Sequence, residues 1–475
     1  MKRHLAIGLV SSLPLLALGS PARSQERISS EQRASLTEIV AQAADAPQAI
    51  GFSVGIARHA DVVYAAARGK RSLDPDERAT VDTWYGIGSV TKQFTAALIM
   101  QFVESGRLHL DDRLATVLPD FPHASEITIR QLLTHTSGLA NYSGKVFSTG
   151  LAAKRDVQPA ELVALIAGEP LEFTPGSTWE YCNTNYLALG LVIEKLSGKP
   201  YGDVVRERII VPLGIAVSVR APSSVSDVAQ GYSEGSPPKP MTGDVSWAYA
   251  AGELYATVRG LLAWDAALFG GRIVSARSLA QMTKPVVLPD GKPTNYGFGL
   301  AVAEIEGRPI VSHNGGVPGG FAAQNFVFPD DGVAIVTLAN TLDFNAALPA
   351  TKLAEVFYPD LGAALQSFSE EQLAAFDDPR IDAQAKEWLG RLTSGSLDKT
   401  QMSPEMIAAL TPAALKGGQD FLRAAGAVRS IRLAGFTPQS GFRVYVYRVT
   451  ATARDYTFTF VLDGHGKIAG LFVKP

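Results

Sequence analysis

The chain has 475 residues, of which 43 are basic and 46 acidic, giving a formal net charge of -3. Binding of nucleic acid or an anionic membrane usually needs an excess of basic residues, which this chain lacks, so we expect neither partner. The single cysteine excludes an internal disulfide, and the seven histidines lack the close His, Cys and Asp spacings of a zinc or iron site, so we expect no metal and no cofactor.

Residues 1–24 read as a secretory signal peptide. A basic start at residues 2–4 precedes an apolar run over residues 5–18, and Ala22 and Ser24 supply the small side chains for cleavage after Ser24. A membrane anchor needs about 20 apolar residues, more than this run provides. We therefore expect a periplasmic or secreted protein with no membrane span after cleavage.

Residues 25–365 follow the order strands, helices, strands. Helical patterns lie at 30–44, 89–104, 187–196 and 261–268. Strand patterns lie at 51–58, 62–68, 296–303, 309–312, 321–328 and 333–339, with turns expected at 315–316, 318–320 and 330–332. This order predicts an α+β domain, in which the terminal segments form a sheet and the middle forms a helical lobe.

A second, smaller α+β domain is predicted over 377–475. Its helical patterns lie at 383–392, 404–410 and 412–424, and its strand patterns at 428–433, 442–451, 456–462 and 468–473. Helices followed by an antiparallel sheet fit a structural cap, a dimerisation surface or a binding module. We expect structure or association there rather than catalysis.

The segment Gly88-Ser89-Val90-Thr91-Lys92 sets a serine three residues before a lysine at the start of the buried helix. Residues i and i+3 share a helix face, so the Lys92 amine can reach the Ser89 hydroxyl. A hydroxyl is a poor nucleophile until an adjacent base accepts its proton. The N-terminus of a helix also offers free N–H groups where negative charge develops.

A second proton carrier is offered by Tyr181-Cys182-Asn183, before the helical pattern at 187–196. A tyrosine hydroxyl near a lysine can shuttle protons, and the Asn183 amide both donates and accepts hydrogen bonds. We expect this triplet on a loop, where chemistry tends to lie.

Four motifs then stand in order: Ser89-Val90-Thr91-Lys92, Leu132-Leu133-Thr134-His135-Thr136-Ser137-Gly138-Leu139, Tyr181-Cys182-Asn183 and His313-Asn314-Gly315-Gly316. In this order the chain resembles the class C β-lactamase and penicillin-binding-protein-like serine hydrolases, over about residues 30 to 358. The resemblance implies the β-lactamase/DD-peptidase-like fold, an antiparallel sheet flanked by helices plus a helical lobe.

The resemblance implies a role for each motif. Ser89 would be the acylated nucleophile, Lys92 its proton acceptor, and Tyr181 the group that protonates the leaving group and helps activate the deacylating water. Asn183 would hold the substrate amide, and the backbone N–H groups of Ser89 and Gly316 would form the oxyanion hole. The strand edge where substrate lies would be lined by His313, Asn314, Gly315 and Gly316.

Two residues depart from the family pattern. His313 stands where β-lactamases usually carry the lysine of a Lys-Thr-Gly triplet. A histidine at this position resembles certain DD-peptidases and D-amino-acid peptidases instead. A histidine is only partly charged at neutral pH, so it should hold a substrate carboxylate less firmly. Cys182 stands where serine is usual, and no histidine neighbours it in its motif, so we do not expect it to act as a nucleophile.

Two further signals compete with this reading. His135 lies in a loop after a helical pattern, and we interpret it as structural. Gly231-Tyr232-Ser233-Glu234-Gly235 matches the Gly-x-Ser-x-Gly elbow of α/β-hydrolases, but a polar stretch precedes it and Pro237-Pro238 follows, where an elbow needs a strand and a helix.

The sequence therefore predicts an exported serine hydrolase that acts through an acyl-enzyme on an amide or ester of a small molecule or peptide. A D-amino-acid peptide or a small ester is the expected substrate. The alternatives are a β-lactamase proper, or a penicillin- or peptidoglycan-binding protein that is acylated without turnover. The physiological substrate and the oligomeric state are left open.

Overall fold

The computed structural model describes residues 28–46, 48–232, 237–241, 243–317, 320–342, 344–361, 379–439, 442–463 and 466–474. The signal-peptide prediction for residues 1–24 and most of the Gly-x-Ser-x-Gly match lie outside these residues. No helix in these ranges is long and apolar enough to cross a membrane.

A seven-stranded antiparallel sheet forms the centre of the first unit, in the order β3-β2-β1-β10-β9-β8-β7. Its strands are β1 (Gly51–Arg58), β2 (Asp61–Leu73), β3 (Asp76–Arg78), β7 (Ala301–Ile305), β8 (Arg308–Val317), β9 (Phe321–Phe328) and β10 (Val333–Ala339). A small second sheet has the order β4-β6-β5, with β4 (Tyr85–Gly86), β5 (Val217–Val219) and β6 (Leu254–Ala256). The terminal segments build the large sheet, as the sequence order predicted.

The helices of the first unit, with a π-helical turn at Arg206–Ile210, are α1 (Ser30–Ala44), α2 (Thr91–Glu104), α3 (Ile129–Leu133), α4 (Ser143–Ser148), α5 (Pro159–Ala164), α6 (Asn183–Ser197), α7 (Tyr201–Val205), α8 (Val211–Leu213), α9 (Val258–Phe269), α10 (Ala276–Met282) and α11 (Ala347–Glu355). Their capping follows the sequence: Ser29 caps α1 in a capping box, and α6 ends at Gly198 in the left-handed region with φ 72°.

The two faces of the large sheet bury different helices. Along β10, Ile335 belongs to the cluster that contains Leu36 of α1 and Leu353 of α11, whereas Val336 belongs to the cluster that contains α2 and α9. Successive strand residues point to opposite faces, so an all-apolar strand of this kind must be covered on both sides. The sheet is thus sandwiched between helices.

Helix α2 is central, since eleven of its fourteen residues are buried. It packs against α6 and against a 3₁₀ segment, Ser246–Ala251. Because the helix is covered on nearly all sides, its polar residues Lys92, Gln93 and Thr95 are fully buried and each depends on an internal hydrogen-bond partner.

The expected turn at 315–316 was wrong, because both glycines lie inside β8, where Gly315 pairs with Ala323 and Gly316 with Ala322 of β9. Close approach explains these glycines better than a turn: a Cβ on Gly315 would lie 2.0 Å from the carbonyl oxygen of Ile87. The strand therefore lies directly against the segment that leads into Ser89.

The C-terminal unit has helices α12 (Pro379–Ser394), α13 (Pro404–Ala409) and α14 (Pro412–Ala425) and a four-stranded antiparallel meander, β11 (Val428–Gln439), β12 (Phe442–Ala451), β13 (Tyr456–Asp463) and β14 (Ile468–Lys474). Its buried cluster is drawn from residues 381–468, with Trp388 and Phe458 fully buried. The predicted helices-then-sheet pattern is confirmed. Most elements are longer than expected, but the helix that begins at Pro404 ends one residue early and the strand Phe442–Ala451 has the expected bounds.

Candidate active site

Ser89 lies in a single 3₁₀ turn, Gly88–Val90, directly before α2. Its neighbours Gly88 and Val90 are buried, whereas Ser89 keeps partial exposure. Gly88 has φ 50°, and a Cβ there would lie 2.7 Å from the backbone nitrogen of Gly316. Only glycine fits this conformation and this contact without strain. The partly exposed Ser89 hydroxyl therefore lies at the start of the helix, where a substrate can reach it.

The Lys92 amine, which is fully buried, lies among three oxygen atoms. It lies 2.9 Å from Ser89 Oγ, and it donates to Asn183 Oδ1 at 2.8 Å and to the Ala251 carbonyl at 2.8 Å. Burial lowers the pKa of Lys92 well below its ordinary value. An amine that loses its proton this readily can accept the proton of Ser89.

Tyr181 precedes α6, and its ring centroid lies 4.8 Å from the Lys92 amine. The hydroxyl is buried and makes no hydrogen bond of normal geometry with the described residues. Burial raises its pKa above the ordinary value, while the neighbouring Ser89 side chain acts in the opposite direction. A protonated tyrosine beside the nucleophile is suited to give a proton to a leaving group.

We expected Asn183 on a loop, but it is the first residue of α6. Its Oδ1 accepts from Lys92, and its Nδ2 donates to Ser143 Oγ at 2.7 Å. One amide hydrogen stays available beyond these two bonds. Asn183 can therefore orient Lys92 and still offer a donor to a substrate.

His313 is 3% exposed in β8, and both of its ring nitrogens are hydrogen-bonded. Its Nδ1 lies 2.6 Å from the Asn314 carbonyl, which can only accept, so Nδ1 carries the proton. Its Nε2 lies 2.9 Å from the Tyr296 hydroxyl and accepts from it. Burial, and then the charge of Lys92, lower the pKa of His313 to about 3. The His313-Asn314-Gly315-Gly316 motif thus presents a neutral ring.

Asn314, Gly315 and Gly316 continue β8 past His313. Asn314 and Gly316 are exposed, and Gly315 is buried against Ile87. The backbone of Gly316 adjoins the turn that carries Ser89, so an exposed strand edge runs beside the nucleophile. This arrangement suits two backbone N–H donors that converge on one oxygen.

Three groups of the site were missed by sequence reasoning: the Ala251 carbonyl, Ser143 and Tyr296. The sequence gives no indication that the backbone of Ala251 holds Lys92 or that the Tyr296 hydroxyl holds His313. The sequence gives no indication of a role for Ser143, because only the tertiary structure brings it next to Asn183.

Cys182 is 4% exposed and its Sγ donates to the Leu139 carbonyl at 3.1 Å. Burial raises the pKa of the thiol to about 12, so it stays protonated and inert at neutral pH. Among the described residues, no group of three or more His, Cys, Asp or Glu side chains could hold a metal ion.

Fold and site together have the form of the β-lactamase/DD-peptidase-like fold with its Ser-x-x-Lys turn. The family model for Beta-lactamase matches residues 36–356, and the chain belongs to that family. The family and the fold expected from the motifs are both confirmed.

Relatives bear related names. The chain is 30% identical over 300 residues to penicillin-binding protein 4* of Bacillus subtilis (59% of this chain, 66% of that protein), and 29% identical over 295 residues to a D-aminopeptidase of Brucella anthropi (61% and 56%). It covers less than two thirds of either relative's length. A solved D-stereospecific amidohydrolase from a Streptomyces species is 30% identical, with a TM-score of 0.57 over 68% of this chain and 97% of that one.

Proposed function

We propose that the protein is an exported serine hydrolase that cleaves a small amide or ester through an acyl-enzyme on Ser89. The observation that carries this proposal is the 2.9 Å contact between Lys92 Nζ and Ser89 Oγ, with the amine buried and its pKa lowered. Relatives named D-aminopeptidase and D-stereospecific amidohydrolase support amide chemistry.

In acylation, neutral Lys92 accepts the Ser89 proton while Oγ attacks the substrate carbonyl carbon. The negative charge that forms on the carbonyl oxygen is stabilised by the backbone N–H groups of Ser89 and Gly316. The bond to the leaving amine or alkoxide then breaks. Tyr181 donates the proton that the leaving group needs and recovers it from protonated Lys92.

In deacylation, water replaces the leaving group in the same site. Its proton passes to Lys92 through Tyr181 as its oxygen attacks the ester carbonyl, and Ser89 Oγ leaves with a proton. The Tyr181 hydroxyl supports this role, since it is buried beside Ser89 and has no hydrogen bond of normal geometry to another described group. Asn183 orients Lys92 and the substrate amide.

The proposed substrate carries no carboxylate where it meets His313. Lysine at this position would provide a cation, whereas His313 is neutral and both its nitrogens are engaged. An uncharged amide or ester, including a D-amino-acid amide, therefore fits the neutral wall that His313 and Tyr296 form better than a β-lactam or a peptide with a free carboxylate. β-Lactamase activity is thus a secondary outcome of the same chemistry.

We further propose the division of the chain into a signal peptide over 1–24, a hydrolase domain over 25–365 and a C-terminal domain over 377–475. The separate buried cluster of residues 381–468 supports the last boundary. Export to the periplasm or the medium rests on the sequence pattern of the first 24 residues.

The experiment is labelling of the mature protein with a fluorophosphonate and a fluorescent penicillin, next to assays with nitrocefin, p-nitrophenyl esters, D-alanine p-nitroanilide and D-Ala-D-Ala peptides. We expect label on Ser89, none on a Ser89→Ala variant, and turnover of esters or amides. Absence of label on the folded protein would overturn the proposal. A label that persists without product release would instead indicate a binding protein that is acylated without turnover.

A further inference from the structure

His135 makes four contacts with the segment that carries Tyr181. Its carbonyl accepts the Glu180 N–H at 3.0 Å, and its Nδ1 accepts the Cys182 N–H at 3.2 Å and the Asn185 Nδ2–H at 3.0 Å. Its ring packs against that of Tyr181 with centroids 4.4 Å apart. The contacts fix the backbone on both sides of Tyr181 and the ring itself.

These bonds define the protonation state of His135. Because Nδ1 accepts from two donors, the proton of the neutral ring lies on Nε2. The ring is fully buried, and burial, followed by the nearby Lys92, lowers its pKa well below the ordinary value. Nε2 has no hydrogen-bond partner in the described part of the chain, and the imidazole ring lies among the rings of Tyr181, Tyr186, Tyr296 and Trp179.

The backbone at His135 is strained. Its φ is 58°, a left-handed conformation that non-glycine residues seldom adopt. Hydrogen bonds on either side maintain it: Thr134 N–H donates to the Arg130 carbonyl and Thr136 N–H to the Gln131 carbonyl. Strain of this kind persists only where the surroundings over-determine it, and such sites cluster near catalytic groups.

We propose that His135 is a positioning residue that holds the Tyr181 hydroxyl beside Ser89. This inference rests on the proposed function, in which Tyr181 moves protons to and from the leaving group and water. His135 itself is fully buried and does not touch substrate. It acts by accepting from the Cys182 N–H and by packing against the Tyr181 ring, which limits the freedom of that ring beside Lys92.

A displacement of about 1 Å in a catalytic group can cost on the order of 100-fold in rate. The matched variants are His135→Asn, which tolerates the left-handed backbone and places an acceptor near the position of Nδ1, and His135→Leu, which has no acceptor. We expect His135→Leu to lower kcat on D-alanine p-nitroanilide by about tenfold to 100-fold with KM within about threefold, and His135→Asn to recover most of the loss.

A double-mutant cycle separates positioning from general stability. In a Tyr181→Phe background, His135→Leu should change the single-turnover acylation rate by no more than about twofold, because the hydroxyl that His135 positions is already absent. A purely structural role would lower the rate by the same factor in both backgrounds. Thermal unfolding is measured on every variant, and His135→Gly, which adopts positive φ freely, replaces His135→Leu if the latter does not fold.

Equal losses in the two backgrounds, or an acceptor-free variant that retains full kcat, would overturn the proposal. Failure of the proposed function looks different, because wild-type protein would then take no fluorophosphonate label at Ser89 and the cycle would have no rate to compare.

Discussion

The buried Lys92 amine lies 2.9 Å from the Ser89 hydroxyl and 2.8 Å from the Ala251 carbonyl. Lys92 is therefore fixed by a backbone acceptor as well as by the nucleophile. Since burial disfavours the charged amine, a larger fraction is neutral at a given pH than for an exposed lysine.

The first prediction concerns this amine. Lys92→Met should lower kcat/KM on p-nitrophenyl esters by about 10²–10⁴, the range typical of a lost general base. Lys92→Arg is the matched control, because a guanidinium keeps the charge but does not release its proton in proteins. It should be as inactive as Lys92→Met. An active Lys92→Arg enzyme would show that Lys92 acts as a cation rather than as a base.

The second prediction is a pH profile. Acylation needs neutral Lys92, so kcat/KM should rise with pH as the amine deprotonates and level off above its pKa. Because the pKa of Lys92 is lowered well below its ordinary value, the plateau should begin well below the ordinary lysine range. Measurement of kcat/KM across pH with the wild-type enzyme checks this. A rise that starts only where exposed lysines titrate would contradict it.

The third prediction concerns the wall formed by His313 and Tyr296. His313→Lys introduces a cation beside the strand edge, and it should raise the ratio of nitrocefin turnover to p-nitrophenyl ester turnover by about tenfold, as expected for a charge-assisted contact. Tyr296→Phe removes the donor to Nε2 while keeping the ring volume, but it leaves the burial that lowers the pKa of His313 to about 3, so the ring should stay neutral and the ratio should stay unchanged. An unchanged ratio in the His313→Lys variant would show that His313 does not select substrate.

Much of this site could be anticipated from local pattern. Ser89 and Lys92 are three residues apart in one helical start, so their contact follows from helix geometry. Contacts between residues far apart in the sequence could not be predicted in this way. The Ala251 carbonyl reaches Lys92 across 159 positions, and every residue type offers the same backbone carbonyl, so the identity of residue 251 gives no indication of this role.

The error at Gly315-Gly316 has a related cause. Two adjacent glycines favour a turn on local grounds, and the strand that contains them exists because β9 pairs with it. The missing side chain of Gly315 allows the close approach of Ile87, a contact fixed only by tertiary structure. His135 likewise reads as an ordinary loop residue until its partners around Tyr181 are known.

The fourth prediction concerns Glu253, which follows the Ala251-Gly252 pair and is 2% exposed. Burial raises its pKa to about 7 from an ordinary value of 4.5, although Arg220, at 3.0 Å, acts in the opposite direction. Between these values the folded state binds more protons than the unfolded state. Stability should therefore fall as pH rises from 4.5 to 7, by about 3 kcal/mol in total.

Glu253→Gln removes this titration at similar volume. Relative to wild type, its melting temperature should be more favourable near pH 8 than near pH 4, because only the wild-type side chain is forced to ionise while buried at the higher pH. Thermal unfolding of both proteins at the two pH values provides the comparison. Parallel curves with a constant offset would assign the pH dependence to other groups.

The fifth prediction concerns the C-terminal unit. Its buried cluster, which includes Trp388 and Phe458, is built from residues 381–468, whereas Leu361 packs into the cluster of the first unit. A chain that ends after Leu361 should therefore keep its own core, unfold within a few degrees of the full-length protein and retain kcat/KM within about threefold. Retained folding with lost activity would mean that residues after 361 complete the catalytic site. Retained activity with a change of mass in solution, measured by light scattering, would instead assign this unit to association between chains.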